Sequence, residues 1–260
     1  MSAPLPQFDG VTLRLRGAVG HLTFSRPPEN YFDADLLDSL CDGLDALEAL
    51  AECRAVVLAS TGRVFCAGAR FGDDPAALTP EAARRIYQGA ARLVSGRLPI
   101  VAAVQGPAIG GGLGLALIAD FRLCAPEARF HANFARLGLH AGFGITALLP
   151  RIIGPQKASE MLLAARRVTG EEALALGLAD RLVPQADLAR ATADLAATLA
   201  EGAPLAVQSM RQTLRGDLAQ AVRDATAREL AEQRQHLQSA DFAEGVRAAH
   251  ARRPPRFTGR

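Results

Sequence analysis

Short apolar runs alternate along the chain with longer stretches of helical periodicity. Residues 11–15 and Val19–Phe24 alternate between apolar and polar positions around Gly17, which predicts a β-hairpin. Residues 55–59 and Ile100–Val104 are continuous apolar runs, as expected for strands buried on both faces. The first half of the chain therefore predicts a sheet with a buried centre.

The helical segments follow these strands at regular intervals. Asp33 is the predicted N-cap of a helix over 34–51, in which leucines at helical spacing share one face. Further helices are predicted at 80–95, 113–118, 145–153, 156–165 and 171–176, with short strands at Phe121–Cys124 and 129–132, and an almost wholly helical region from 188 to 251. Strand–helix alternation followed by helices predicts an α/β fold, with a core over residues 1–186 and a helical region over 187–260.

Two glycine-centred turns are the strongest chemical signal. Residues 65–70 follow the first buried strand and residues 106–112 follow the second, and both have little side-chain bulk where the chain turns. Glycine allows a backbone N–H to come close to a substrate oxygen. Two such N–H groups directed at one carbonyl oxygen form an oxyanion hole. The residues directly after the second turn, 113–116, contain no acid.

Composition narrows the class of partner. The net charge of +2 is too small to indicate a nucleic-acid partner, and Lys157 is the only lysine. Arginine clusters at 84–85, 166–167 and 252–256 fit either solvated helix faces or capture of a phosphorylated ligand, and both interpretations remain open. The four cysteines lack metal-ligand spacing and predict reduced, buried thiols, so no metal site is expected.

The sequence does not favour a membrane protein. Residues 1–10 lack the basic and apolar regions of a signal peptide. Residues 98–119 are uncharged and long enough to span a bilayer, but their prolines and glycines fit a strand, a turn and a buried helix better. We therefore expect a soluble, cytoplasmic protein with no membrane partner.

Ordered motifs along nearly the whole chain resemble those of the crotonase, or enoyl-CoA hydratase/isomerase, family. They lie at 25–30, 55–58, 65–69, 99–106, 110–112, 119–122, 136–139, 149–154, 173–180, 239–245 and 252–254. The resemblance implies a spiral of stacked ββα units and a C-terminal helical region that trimerises, giving a homotrimer or a dimer of trimers. It also implies an acyl-CoA substrate and no permanently bound cofactor, since coenzyme A arrives as part of the thioester.

The resemblance assigns roles to particular positions. The backbone N–H groups of Ala69 and Gly111 match those that hold the thioester oxygen in the family. Flanking substrate-binding positions are Ala67, Gly68, Arg70 and Gly110, all within the two glycine-centred turns. Arg26 and the C-terminal Phe257 match positions near coenzyme A.

Two departures from the family pattern determine which reaction is expected. The two catalytic glutamates of the hydratases are replaced here by Gly114 and Phe134, and Phe134 is expected to line an apolar acyl pocket. Because neither residue can transfer a proton, isomerisation, decarboxylation or C–C cleavage is favoured over hydration. Two alternatives stay open, namely an acyl-CoA-binding protein without catalysis and a CoA-independent diketone hydrolase on the same fold.

Two other side chains are candidates for proton transfer. Tyr87 lies on the predicted helix between the two turns, and the alternative is an ordinary half-buried residue. His140 lies in the loop expected to close the acyl pocket, and the alternative is a histidine bonded to loop backbone. His131 is discounted, because on a strand over 129–132 it would point away from Phe134.

Overall fold

The computed structural model describes residues 5–69 and 80–260, so Arg70 lies outside the described residues. Nine strands are present in that part of the chain: β1 Val11–Arg16, β2 Val19–Phe24, β3 Ala55–Ser60, β4 Ile100–Val104, β5 Pro107–Ile109, β6 Phe121–Cys124, β7 Arg129–His131, β8 Arg167–Thr169 and β9 Arg181–Leu182. The helices are α1 Ala34–Glu48, α2 Pro80–Val94, α3 Gly111–Leu117, α4 Ile145–Leu163, α5 Gly170–Leu176, α6 Leu188–Glu201, α7 Pro204–Arg215, α8 Leu218–His236 and α9 Ala240–His250.

Six strands form the main sheet, in the order β1-β2-β3-β4-β6-β9. The first two strands are an antiparallel hairpin, and the remaining neighbours run parallel. Parallel neighbours require crossover connections, which the predicted strand–helix alternation anticipates. A second sheet of three strands, in the order β5-β7-β8, lies beside the glycine-rich turn after β4.

Each face of the main sheet packs against its own layer of helices. On β3, Val56 and Leu58 belong to a large core with the leucines of α1, whereas Val57 faces the opposite side. There it joins Ala196 and Ala200 of α6 in a second, smaller core. This two-residue period explains why the sequence of β3 is apolar throughout.

Most predicted elements are confirmed, and the boundaries differ at their ends. Asp33 caps α1, with its carboxylate accepting the N–H of Leu36, and the helix ends at Glu48 rather than at residue 51. The two predicted helices over 145–165 adjoin at Gly154, whose backbone (φ 78°) is not helical. The short strands β5, β8 and β9 were not predicted, since two or three residues carry no periodicity that a sequence pattern can reveal.

One prediction of side-chain direction rested on the wrong element. The strand that contains Phe130 ends at His131, and Phe134 lies on a following 3-10 helix, Asn133–Leu137. Alternation along a strand therefore does not relate His131 to Phe134. The imidazole of His131 instead lies 3.0 Å from the carbonyl oxygen of Ala165, as a histidine that supports local backbone.

The C-terminal helices pack back onto the core. The 3-10 turn Gln185–Asp187 separates β9 from α6, and the proposed boundary between residues 186 and 187 falls within it. Helix α8 packs along α2 and α4, whereas α9 packs against the 3-10 helix that carries Phe134. Residues from both ends of the chain therefore surround the segment where the candidate site lies.

Candidate active site

The two glycine-centred turns lie side by side, as the resemblance implies. Cys66 and Ala108 form a parallel bridge between them, and the Ile109 N–H donates to the Cys66 carbonyl at 2.9 Å. A Cβ on Gly112 would lie 2.1 Å from that carbonyl oxygen, so only glycine allows this approach. The first turn also requires Gly68, whose φ is +97° and whose added Cβ would meet the Ile109 oxygen at 2.8 Å.

The amides of Ala69 and Gly111 are close neighbours in this arrangement. A Cβ built on Gly111 would lie 3.7 Å from the Ala69 nitrogen, and one built on Gly68 would lie 3.3 Å from the Gly111 nitrogen. Neither N–H has a hydrogen-bond acceptor within residues 5–69 and 80–260. Buried backbone donors are ordinarily paired, so two adjacent donors without partners indicate a place for an external oxygen.

Both turns form one wall of a cavity of about 330 Å³. Its lining includes five of the predicted substrate-binding or oxyanion positions, namely Ala67, Gly68, Ala69, Gly110 and Gly111. Helix α2 contributes Tyr87 to the same cavity, and the segment after β7 contributes Phe134, as expected for a residue that lines an acyl pocket. Seven of the eleven predicted site residues therefore line this one cavity.

Aromatic side chains pack beside Gly114, the position at which the resemblance implies a glutamate in the hydratases. Phe143 is 2% exposed, and its ring centroid lies 5.2 Å from that of Phe32. A Cβ on Gly114 would meet Phe143 side-chain atoms at 2.7 and 2.9 Å. There is therefore no free space for an acidic side chain at Gly114, because the Phe143 ring fills the space beside it.

Tyr87 is fixed by a hydrogen bond to a distant helix. Its hydroxyl group donates to Oε1 of Gln233 on α8 at 2.8 Å, and the side chain is almost fully buried. Burial, with a smaller contribution from the nearby Glu229 carboxylate, raises the pKa of the Tyr87 hydroxyl above its ordinary value. The hydroxyl therefore keeps its proton at neutral pH.

His140 is half-buried and lies outside the residues that line the cavity. Its Nδ1 is 2.8 Å from the Ala141 carbonyl oxygen, and its backbone N–H donates to Nδ1 of His236. Its own carbonyl oxygen accepts the side-chain N–H of Gln233 at 2.8 Å. The backbone of His140 thus supports the Tyr87–Gln233 pair, while its imidazole is directed at local backbone.

The two positions expected near coenzyme A are also outside this lining. Arg26 is paired with Asp9 and Asp33, which occupies its guanidinium within the protein. Phe257 lies in the tail beyond α9 and is 41% exposed. The tail folds back along α9, where the N–H groups of Thr258 and Gly259 donate to Asp241.

Several lining residues were not singled out in the sequence. Phe242, Val246, Ala249 and His250 come from one face of α9, and their helical spacing was the signal that could have identified them. Asn133 lines the cavity beside Gly110, and a Cβ on that glycine would lie 3.1 Å from its Oδ1. Gln233 carried no such signal, since its partner lies 146 positions earlier in the chain.

A buried carboxylate supports the loop behind the cavity. Glu229 of α8 is 1% exposed and accepts hydrogen bonds from the Gly144 N–H at 2.7 Å and from the Thr146 hydroxyl at 2.6 Å. Burial raises the pKa of Glu229 above its ordinary value, and these donors oppose the shift. Glu229 is not among the cavity's lining residues, so it acts here as a cap for the start of α4.

Charged groups are absent from the described part of the lining. Of the described residues, those around the cavity include no aspartate, glutamate, lysine or arginine, and the titratable side chains are Tyr31, Tyr87 and His250. Within the same described ranges there is no cluster of His, Cys, Asp or Glu side chains suited to a metal ion. Likewise, none of the described helices is both long and apolar enough to span a bilayer.

The chain is similar to known proteins of one family along nearly its whole length. The Enoyl-CoA hydratase/isomerase family profile matches residues 14–260. The chain is 37% identical over 243 residues to a probable enoyl-CoA hydratase of Rhodobacter capsulatus, covering 92% of this chain and 94% of that protein. It is 30% identical over 262 residues to the carnitinyl-CoA dehydratase of Salmonella typhi, covering 97% and 99% of the two chains.

Solved structures show the same architecture. An enoyl-CoA hydratase from Mycobacterium avium subsp. paratuberculosis superposes with a TM-score of 0.87 at 28% identity, covering 97% of this chain and all of that one. An enoyl-CoA hydratase/isomerase from Pseudoalteromonas atlantica gives the same TM-score at 31% identity. The superposition covers 96% of this chain and the whole of the Pseudoalteromonas chain. With its paired glycine turns and its matching sequence and fold, the chain belongs to the enoyl-CoA hydratase/isomerase, or crotonase, family.

Proposed function

We propose that this protein is an enzyme that acts on an acyl-CoA thioester through an oxyanion-stabilised enolate. The thioester oxygen is held by the N–H groups of Ala69 and Gly111. The observation that carries the proposal is that these two adjacent donors line the cavity without acceptors among the described residues. The family membership supplies the ligand class, since relatives in the family are named for CoA thioesters.

This arrangement stabilises charge that develops on the thioester oxygen. When the α-carbon loses a proton to a base, loses carbon dioxide, or loses an acyl group to an attacking water, the electron pair left behind is delocalised onto that oxygen. Two preorganised N–H donors lower the energy of the resulting enolate, and each is worth roughly 10²–10³-fold in rate in other enzymes. The coenzyme is part of the substrate, and no permanent cofactor is needed for this step.

Hydration is the reaction that the cavity supports least. Adding water across a double bond needs groups that move protons, each worth roughly 10²–10⁴-fold. The described lining holds no carboxylate, Gly114 is covered by Phe143, and Phe134 is apolar. We therefore propose isomerase, decarboxylase or C–C lyase chemistry, of which decarboxylation forms the enolate with no base, because departing carbon dioxide leaves the electron pair of the broken C–C bond on the α-carbon.

Two other functions remain as alternatives, and measurements of binding and turnover distinguish them from the proposed enzyme. The lack of a charged group in the described lining also suits an acyl-CoA-binding protein without catalysis. A diketone hydrolase on this fold would bind its substrate without coenzyme A. Binding of a panel of CoA thioesters separates the last possibility from the first two, and turnover of any member separates an enzyme from a binding protein.

The oxyanion role is tested directly by the vibration of the bound thioester carbonyl. We expect its infrared stretching band to move to lower frequency on binding, because two N–H donors polarise the C=O bond. Gly68→Ala should reduce this shift and weaken binding, since its Cβ would collide with the Ile109 oxygen and displace the Ala69 amide.

Gly62→Ala is the matched control for that variant. Gly62 has a similarly positive φ of +78°, but an added Cβ there would meet nothing within 4 Å. Both variants therefore carry backbone strain, and only Gly68→Ala disturbs the turn. An unchanged carbonyl band in the wild type, or equal effects of the two substitutions, would contradict the proposed oxyanion hole.

A further inference from the structure

Tyr87 and Gln233 form a hydrogen bond at the wall of the cavity, and the direction of that bond is fixed. Tyr87, Gln233 and Gly142 all line the cavity, and a Cβ on Gly142 would lie 2.6 Å from the Tyr87 hydroxyl and 2.9 Å from Nε2 of Gln233. The lack of a side chain at Gly142 therefore leaves room for the Tyr87–Gln233 pair at this wall. A buried polar pair in a cavity lined mostly by apolar residues is a place where a ligand's polar group would be recognised.

The carbonyl oxygen of His140 sets the orientation of the Gln233 amide. A carbonyl oxygen can only accept a hydrogen bond, so the group that faces it at 2.8 Å must be the Nε2 donor of Gln233. Oε1 then faces Tyr87, and an amide oxygen also only accepts. The Tyr87 hydroxyl must therefore donate its single proton to Gln233, at 2.8 Å.

The only hydrogen-bonding role left to the Tyr87 hydroxyl is that of an acceptor, through a lone pair on its oxygen. Burial and the negative charge of Glu229 both disfavour loss of the proton, so the hydroxyl stays neutral. With its proton already donated to Gln233, Tyr87 can neither donate to a ligand nor serve as a base in this arrangement. It can still accept a hydrogen bond.

We propose that Tyr87 is a specificity residue whose hydroxyl oxygen accepts a hydrogen bond from the acyl group, so that the enzyme selects acyl groups bearing a hydroxyl. This inference rests on the proposed acyl-CoA substrate and deepens it. The side chains of Phe32 and Phe143, which line the same cavity, can form no such hydrogen bond, and the competing Tyr31 hydroxyl is tested by a variant. A hydroxylated acyl group gains a partner at Tyr87, while a keto group at that position places its lone pairs against those of the tyrosine.

The expected order of affinity is therefore hydroxyacyl, then unsubstituted acyl, then ketoacyl. A net hydrogen bond between neutral groups corresponds to about a 2- to 12-fold change in the dissociation constant. The experiment measures binding of two matched sets of CoA thioesters to the wild-type protein. One set is butyryl-CoA, 3-hydroxybutyryl-CoA and acetoacetyl-CoA, and the other is phenylacetyl-CoA with 4-hydroxyphenylacetyl-CoA.

Tyr87→Phe should abolish the preference for the hydroxylated member while leaving affinity for its unsubstituted counterpart nearly unchanged. Tyr31→Phe, which removes the hydroxyl of another tyrosine in the lining, is the matched control and should retain the preference. Gln233→Met should weaken the preference and improve ketoacyl binding, since it frees the Tyr87 proton for donation. A purely structural Tyr87 would instead change all ligands of a set by the same factor.

The outcomes separate this inference from the function on which it rests. If CoA thioesters bind but neither set shows a hydroxyl preference, or if the preference survives in Tyr87→Phe, the assignment of Tyr87 is wrong and the oxyanion proposal stands. If no CoA thioester binds, the proposed function itself fails. Loss of the preference in Tyr31→Phe rather than in Tyr87→Phe would also overturn the assignment.

Discussion

At the residue scale, Gly114, where the family resemblance places a catalytic glutamate, is tied to the residue that packs beside it. Gly114 lies on the buried helix α3, and the Phe143 ring occupies the space that a side chain there would enter. Phe143 itself has a φ of +64°, a conformation that is unfavourable for a bulky residue. The family resemblance implies an acid at this position, and the structure shows that the Phe143 ring fills the space beside Gly114.

Introducing an acid at Gly114 alone should therefore not give efficient hydration. Gly114→Glu is expected to lower the free energy of unfolding by about 1–3 kcal/mol, because the new side chain overpacks against Phe143. The double variant with Phe143→Gly should be less destabilised than the sum of the two single variants, since the second change removes the ring and relieves the positive φ.

Chemical denaturation of the three variants measures this coupling, and loss of enoyl-CoA absorbance measures hydration. Phe143→Gly alone is the control for the cavity that the lost ring leaves. Additive stabilities would show that the two positions do not compete for space. Efficient hydration by Gly114→Glu alone would show that Phe143 does not exclude an acid from this position.

At the element scale, the start of α4 depends on a carboxylate from another helix. Gly144 supplies the N-cap position of α4 without a side-chain cap, and Glu229 of α8 accepts its N–H group instead. The same carboxylate accepts the N–H and hydroxyl groups of Thr146. This link holds the segment that contains Gly142 and Phe143 against α8, and so positions one wall of the cavity.

Because Glu229 can ionise, its contribution to the free energy of unfolding should depend on pH. Burial raises its pKa in the folded state above the ordinary 4.5, so the folded protein binds this proton more tightly than the unfolded chain does. This tighter proton binding adds to the free energy of unfolding. The addition is fully present below the pKa that Glu229 has in the unfolded chain, and it is lost as the pH rises through the pKa of Glu229 in the folded protein. Glu229→Gln removes this titration and leaves an amide N–H facing a donor, which costs about 1–3 kcal/mol.

We expect the stability advantage of the wild type over Glu229→Gln to be smaller at about pH 8 than at about pH 5. Denaturant unfolding at both pH values measures it. Glu232→Gln, on the same helix in an exposed ion pair with Arg228, is the control and should show little change. An advantage that grew with pH would contradict the direction of the Glu229 shift.

At the scale of the whole molecule, the C-terminal helices both complete the core and leave apolar surface exposed. Helix α6 closes the second face of the main sheet. Helix α7 exposes Leu205, Met210 and Leu214, of which Leu214 is 87% exposed. Met210 and Leu214 are four positions apart and so share one face of the helix, and exposed apolar side chains that lie together are typical of an interaction surface. This fits the homotrimer, or dimer of trimers, that the family resemblance implies.

We therefore expect light scattering to give three or six times the 27.4 kDa mass of one chain. Leu214→Glu should shift the protein toward smaller species, because a charge would replace an apolar contact between copies. Gln212→Glu adds the same charge at an exposed polar position of α7 and should leave the mass unchanged. A monomeric wild type would contradict this expectation.

The parts of the protein that follow local rules were predictable from sequence. Asp33 as a helix cap, the hairpin around Gly17 and the buried strand β3 depend on neighbours close along the chain. The paired turns were also predictable, because the positive φ angles of Gly68 and Gly110 are a local requirement of the backbone that glycine meets. The resemblance to the family then placed Ala69 and Gly111 in one site, and the structure places them side by side.

Contacts between distant segments could be decided only by the tertiary structure. The Tyr87–Gln233 bond joins residues 146 positions apart, and its direction depends on the carbonyl oxygen of His140. Phe143 fills the space beside Gly114 because α3 and α4 pack together. The sequence by itself thus determined the family, the fold and the glycine turns, since these depend on local patterns. Tertiary packing decided which atoms face the acyl cavity, since hydrogen-bond direction and occupied volume exist only after the chain has folded.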